Sequence, residues 1–153
     1  MTMDIQFREI DKSNYEDCVS LEVLDEQKEF VASNSWSLLE AKYEDGERRP
    51  LAICNGDEIV GFLMYTYYPA DQDYPRDSWW LERFMIDKKH QKRGYGRESL
   101  ARFLDHAREE LVGMELRTSA EPSNSVAIEL YEKAGFRRTG EVAAGEVVLL
   151  IQL

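Results

Sequence analysis

The sequence predicts one α/β domain, residues 1–153, with about seven strands and about four helices. Three observations carry the prediction. Stretches of alternating or continuous apolar residues interchange along the chain with stretches of helical periodicity. An Asn55-Gly56 step joins two apolar runs, which builds a hairpin into the sheet. And 153 residues with 43% hydrophobic content suit a single folded core.

The elements follow in order. "DIQFREI" alternates Ile5 and Phe7 with polar residues and reads as a first strand. Ser13, with Glu16 three residues on, has the form of a capping box and predicts a helix through about Leu24. A second short helix is expected near Trp36 to Tyr43. "LAICNGDEIVGFLMYTYY" supplies the hairpin, one run starting at Leu51 and the other at Ile59. "PADQDYPRDS", with its two prolines, breaks the strand pattern as a loop. "WWLERFMI" then reads as a largely buried strand. Leu100, Phe103, Leu104, Ala107 and Leu111 fall at helical spacing, and Gly113 can end that helix in the left-handed conformation. "MELRTS" is a further strand, "NSVAIELYEKA" a further helix stopped by Gly135, and "GEVVLLIQL" a last strand. The predicted order is β-α-α-β-β-β-α-β-α-β-β.

Charge and composition exclude several classes. Thirty acidic against nineteen basic residues give a net charge of −11, a field that repels nucleic acid and anionic membrane and attracts cations. Solubility alone would also account for it. No apolar run approaches the roughly 20 residues of a membrane span, and "MTMDIQFREI" is unlike a signal peptide. Cys18 and Cys54 are spaced for neither a zinc site nor a disulfide framework, and His90 and His106 are not at ligand spacing, so no metal is expected. The simplest location is the cytoplasm.

The stretch "QKRGYGRES" sits between a buried strand and a strongly periodic helix. A helix start leaves backbone N–H groups without partners and carries the positive end of the dipole. Gly94 and Gly96, with Lys92, Arg93 and Arg97 around them, therefore form a candidate cradle for a phosphate or pyrophosphate. The alternative is a tight strand-to-helix turn and nothing more. The GxxxxGK[ST] pattern of a P-loop is absent, as is the third glycine of a dinucleotide fingerprint.

"QKRGYG" fits the Q/R-x-x-G-x-G/A motif of the GNAT-superfamily N-acetyltransferases through Gln91, Gly94 and Gly96. "NSVAIELYEKAGF" resembles that family's N-x-x-A-x-x-L-Y-x-x-x-G-F element through Asn124, Ala127, Leu130, Tyr131, Gly135 and Phe136. The element order is similar too, and the resemblance covers nearly the whole chain. "WLERFMIDKKHQKRGYG" is most similar to the spermidine/spermine (diamine) acetyltransferases. The resemblance implies a GNAT-like fold with a mixed, mostly antiparallel central sheet. It also implies acetyl-CoA as co-substrate and a small primary amine as acceptor; the sequence leaves the oligomeric state open, with a homodimer one option. By the same resemblance Phe84, Met85 and Ile86 offer backbone to the pantetheine arm. Gln91, Lys92, Arg93, Gly94, Tyr95, Gly96 and Arg97 hold the pyrophosphate, mostly through backbone N–H groups. Asn124 and Tyr131 line the thiol end, and the strands "WWLERFMI" and "MELRTS" splay apart to admit the cofactor.

Acetyl transfer to an amine needs a neutral nucleophile, a stabilised carbonyl oxygen and a proton for the leaving thiolate. Tyr131 is the candidate acid; its alternative is a core tyrosine with a satisfied hydroxyl. Glu82 is the candidate base. Strand alternation sets it on one face with Trp80, Phe84 and Ile86, where desolvation would raise its pKa. The alternative is a carboxylate that binds substrate or pairs with Arg83 or Arg117. Glu22, Asp25, Glu26 and Glu29 fall at i, i+3, i+4 and i+7, so a helix there would present one acidic stripe. Such a stripe would suit a polycation, with Trp36, Tyr67 and Tyr74 packing its methylenes; a solvated face is the competing reading. Spermine and spermidine are the leading acceptors. The rivals are an aminoglycoside, an amino acid or a protein N-terminus as acceptor, and a non-catalytic acyl-CoA-binding module.

Overall fold

The structure is a computed structural model and describes residues 3–153. Seven strands form one sheet: β1 (Ile5–Glu9), β2 (Glu47–Asn55), β3 (Glu58–Tyr68), β4 (Ser78–Ile86), β5 (Glu115–Ala120), β6 (Arg137–Ala143) and β7 (Glu146–Gln152). Their order across the sheet is β1-β2-β3-β4-β5-β7-β6. Four helices are α1 (Tyr15–Val19), α2 (Asn34–Tyr43), α3 (Tyr95–Glu110) and α4 (Ser125–Ala134). The predicted mixed α/β sheet with mostly antiparallel pairing is therefore the one observed: β4 and β5 run parallel and the other pairs antiparallel. A parallel pair needs a crossover, and α3 supplies it.

The helical periodicity of α3 has its expected use. Leu100, Phe103, Leu104, Ala107 and Leu111 are all buried against one sheet face, among Ile53, Leu63, Tyr65, Trp79, Leu116 and Leu149. α4 adds Tyr131 to the same cluster, and Phe136 joins it just past the helix. On the opposite face a second cluster of Phe62, Met64, Met85 and Cys18 packs under α1 and α2. The hairpin forms at Asn55-Gly56, where Gly56 has the positive φ (60°) that its turn requires. Gly135 caps α4 at φ 114° and Gly113 follows α3 at φ 78°, as the helix-stop signals predict.

Three local expectations are corrected. The helix predicted from Ser13 through Leu24 is only Tyr15–Val19, and no capping box forms at Ser13. The Ser13 N–H and hydroxyl both donate to Asp11 Oδ1 (2.8 and 2.6 Å), so that side chain closes a turn before the helix. The second helix begins earlier than expected, at Asn34, because the Ser33 hydroxyl caps it by accepting from the Trp36 N–H (3.1 Å). The predicted order includes a strand before the last one, and the structure places it at Arg137–Ala143, as β6. It is an edge strand exposed along most of its length and has no apolar alternation to reveal it.

Gly61 explains how β3 comes so close to β4. A Cβ built there would meet the Met85 carbonyl oxygen at 2.5 Å. Gly61→Ala is expected to lower stability by about 1–3 kcal/mol through overpacking, measured by denaturant unfolding. An unchanged midpoint would show that the strands can part at no cost.

Candidate active site

β4 and β5 pair from Ser78↔Glu115 to Leu81↔Thr118 and no further. The Thr118 hydroxyl closes the last rung by donating to the Leu81 carbonyl (2.9 Å). Beyond it β4 runs on from Glu82 to Ile86 with no β5 residue opposite, so the two strands splay as expected. Glu82 is the first residue past the fork. It is also the extra residue of a β-bulge: the β3 pairing steps from Met64↔Arg83 to Tyr65↔Leu81 and skips it.

The bulge corrects the predicted face of Glu82. One inserted residue reverses the alternation of everything beyond it. Trp79 and Leu81 belong to the α3-side core before the bulge, while Ile86 belongs to it and Phe84 packs against it after the bulge. Glu82 therefore shares the α1/α2 face with Trp80, and Phe84 and Ile86 point the other way.

A cleft of about 430 Å³ opens at the fork. Glu82, Trp80 and Phe84 line it from β4, Asn124 and Tyr131 from the start and body of α4, and Glu146 from β7. Tyr68 donates its hydroxyl to Glu82 Oε1 (2.6 Å), and Arg83 Nη1 lies 3.8 Å from Oε2. Arg83 is itself committed to Glu40 (2.7 Å). Tyr131 is 7% exposed. Burial pushes its hydroxyl pKa up, the neighbouring Thr118 hydroxyl opposes the rise, and the negative charge of Glu146 adds to it. The group thus keeps its proton throughout the physiological range. Asn124 caps α4, its side chain accepting from the Ala127 N–H (3.3 Å), which accounts for an asparagine at the head of that motif.

At the opposite end of β4 the glycine stretch turns into α3. Lys92 (φ 64°) and Gly94 (φ 87°) are both left-handed, the backbone pattern that curls successive N–H groups into an anion-binding concavity. Gly94 is the N-cap of α3 and brings no side chain to it. Among the described residues, the N–H groups of Tyr95, Gly96 and Arg97 meet no acceptor; the first bond here is Glu98 N–H to the Gly94 carbonyl (3.1 Å). A Cβ on Gly96 would find only ordinary contacts, 3.9 Å from Ile86 and Leu130, and its φ is not left-handed. The fold leaves room for a side chain at Gly96, so its bareness fits close approach of an outside group. Lys92, Arg93 and Arg97 are exposed and form no ion pair among the described residues. Gln91 and Tyr95 have structural side-chain roles. Gln91 Nε2 donates to the Ile86 carbonyl (2.9 Å) and to Gln27 (2.8 Å), which ties down the strained loop. Tyr95 lies in the core and its hydroxyl accepts from Asn55 Nδ2 (2.9 Å). Met85 and Ile86 are likewise buried, leaving backbone as what they can offer a ligand.

The acidic stripe does not form. Leu21–Leu24 is irregular and only a single 3-10 turn, Asp25–Gln27, follows, so the i, i+3, i+4, i+7 spacing has no helix to align it. Glu22 pairs with Lys88 (2.8 Å), and Glu26 and Glu29 are exposed. None of the three lines the cleft, nor does Trp36, which stands 58% exposed on α2. Of the expected aromatic residues Tyr74 lines the cleft, whereas Tyr67 packs against Trp79 on the other face (5.4 Å); its neighbour Tyr68 lines the cleft instead. Sequence reasoning missed Tyr68 and Glu146, and it named Arg117 only as a partner for Glu82. Arg117 is buried between Tyr74 (3.9 Å) and Trp80 (4.9 Å) and bonded to Glu141 (2.7 Å).

A forked parallel pair, with a glycine-built helix mouth on one side and a carboxylate-lined cleft on the other, is the framework of a group transferase that takes two substrates. The chain belongs to the acetyltransferase (GNAT) family, whose model matches residues 6–136. Over 153 residues it is 31% identical to a probable spermine N(1)-acetyltransferase of Bacillus subtilis subsp. natto, covering 99% of this chain and 100% of that one. It is 30% identical, with the same coverage, to a spermine/spermidine N(1)-acetyltransferase of Bacillus subtilis strain 168. Its fold is similar to that of a spermidine N-acetyltransferase from Vibrio cholerae solved with CoA and spermine. The TM-score there is 0.69 at 15% identity, over 97% of this chain and 94% of that one.

Proposed function

We propose that this acetyltransferase moves the acetyl group of acetyl-CoA to a primary amine of a polyamine, by direct transfer at the β4–β5 fork. The observation that carries the reading is the meeting of Glu82 and Tyr131 in one cleft where the strands part. Acetyl-CoA supplies the activated acyl thioester. Beyond Leu81, β4 is paired with β3 on one edge and has no β5 residue on the other, so backbone on that free edge can meet the pantetheine arm, and the bare Gly96 with the open N–H groups of Tyr95 and Arg97 suits the pyrophosphate. Lys92, Arg93 and Arg97 add positive charge at that mouth.

Glu82 is the proposed base: it takes the proton that the attacking ammonium must lose. Tyr131 is the proposed acid for the departing thiolate, and its raised pKa keeps the proton available. Two things support a polycationic acceptor. Both curated relatives carry spermine in their names. And each arginine of the cleft is bonded to a carboxylate of its own, Arg83 to Glu40, Arg117 to Glu141 and Arg76 to Glu115. Glu146, Asp71 and Asp73 form no ion pair among the described residues and Glu82 has only Arg83 at 3.8 Å, so these four carboxylates are the ones that can meet an incoming cation. We further propose a cytoplasmic location, in keeping with two buried, unbridged cysteines.

The test is CoA release measured across spermine, spermidine and a monoamine at low and high salt. kcat/KM should rise with charge number and the rise should shrink with salt. A flat profile would leave an acetyltransferase for some other amine. Glu82→Gln should lower turnover by on the order of 10²-fold, most at low pH where neutral amine is scarce. Wild-type turnover in that variant would remove Glu82 from the chemistry.

A further inference from the structure

We propose that Glu146 is a second ammonium anchor of the acceptor cleft and the residue that makes the enzyme count charges on its substrate. The proposal rests on the polyamine reading above and adds a residue to it.

The β6–β7 turn fixes where Glu146 stands. Ala144 (φ 51°) and Gly145 (φ 81°) are both left-handed, the requirement of a two-residue type I′ hairpin, and Ala143↔Glu146 is the closing pair. The turn sets the register of β7 against β6, and on its other edge β7 pairs with β5, Ala120 with Val147 and Ser119 with Val148. Leu149 and Ile151 enter the α3-side core. By alternation Glu146 points to the opposite face, the one that carries Glu82 and Trp80.

Its bonding leaves it incomplete. The Ser119 hydroxyl donates to Oε1 (2.6 Å), which orients the carboxylate. Oε2 has no hydrogen-bond donor and the group has no cation partner among the described residues. A half-buried carboxylate with one oxygen uncommitted gains most from a cation delivered by a ligand. Glu146 lines the same cleft as Tyr131 and Asn124. It stands two strands from Glu82, with β5 between them, a span of roughly 10 Å or more across the fork. An amine with a single charge can satisfy only one of two carboxylates so placed. An acceptor with a further ammonium one linker away can reach both.

The experiment compares kcat/KM for spermidine with that for n-butylamine in the wild type, Glu146→Gln, Glu146→Asp and Ser119→Ala. The spermidine-to-butylamine ratio should fall about tenfold in Glu146→Gln, through KM for spermidine, and its salt dependence should weaken. Glu146→Asp keeps the charge and should retain most of the ratio, which guards against a folding artefact. Ser119→Ala loosens the carboxylate and should lower the ratio by a smaller factor. A high wild-type ratio that survives in Glu146→Gln overturns the assignment, as does an equal loss of kcat for both amines. A wild-type ratio near one overturns the polyamine reading itself, and the anchor with it.

Discussion

Tyr131→Phe should reduce turnover by on the order of 10²- to 10⁴-fold, the usual contribution of a general acid, while acetyl-CoA still binds. The substitution removes one hydroxyl from a ring that is buried and packed edge-on to Phe136 (5.5 Å), so the core it belongs to is preserved. The same hydroxyl has a raised pKa from burial and the Glu146 charge. Its proton is present below that raised value and lost above it, so any alkaline loss of activity due to Tyr131 should lie above the ordinary tyrosine value of about 10. Single-turnover rates at saturating substrates, followed against pH, check both statements. Full turnover in the phenylalanine variant would return Tyr131 to the status of a packing residue.

Gly96→Val should separate folding from cofactor binding. The protein places nothing within 3.9 Å of a Cβ at this position, so thermal unfolding should shift little. A branched side chain at the helix mouth would, however, hold an anion away from the N–H groups of Tyr95 and Arg97. Losing even one hydrogen bond to a charged group costs about 1.5–3 kcal/mol, so the Kd for acetyl-CoA should rise at least tenfold. Calorimetry on the folded variant gives the answer. Unchanged affinity would mean that the glycines serve only the turn.

What could be read from the sequence depended on the range of the interactions involved. α3 was legible because five apolar residues at helical spacing report a buried face, and all five are buried. The glycine stretch was legible because a left-handed N-cap is a local demand of the backbone, met by Gly94, whereas Gly96 answers no demand of the fold and was legible only through the spacing of the motif. The surroundings of Glu82 were misread beyond the fork, since alternation counts every residue and the bulge consumes one without a partner. The acidic stripe failed for a related reason: spacing aligns side chains only where a helix exists, and the chain after Val19 leaves the helix. Glu146 carried no local signal at all. It reaches the cleft through pairing with β5, some 27 positions from Ser119, and long-range register is invisible to short-range pattern.

The fork between β4 and β5 makes the sheet a partition with a single window. On the proposed reading the nucleotide carrier is gripped from one end of β4 and α3, and the amine is judged by β3, its following loop and the β6–β7 hairpin. Apart from β4, which carries Glu82 to the amine and its far end to the carrier, these are separate stretches of chain that meet at the window frame of Leu81 and Thr118. Substitutions can therefore accumulate in the judging half without disturbing the grip on the carrier. One inherited scaffold can be retuned toward new amines while its energy source stays the same.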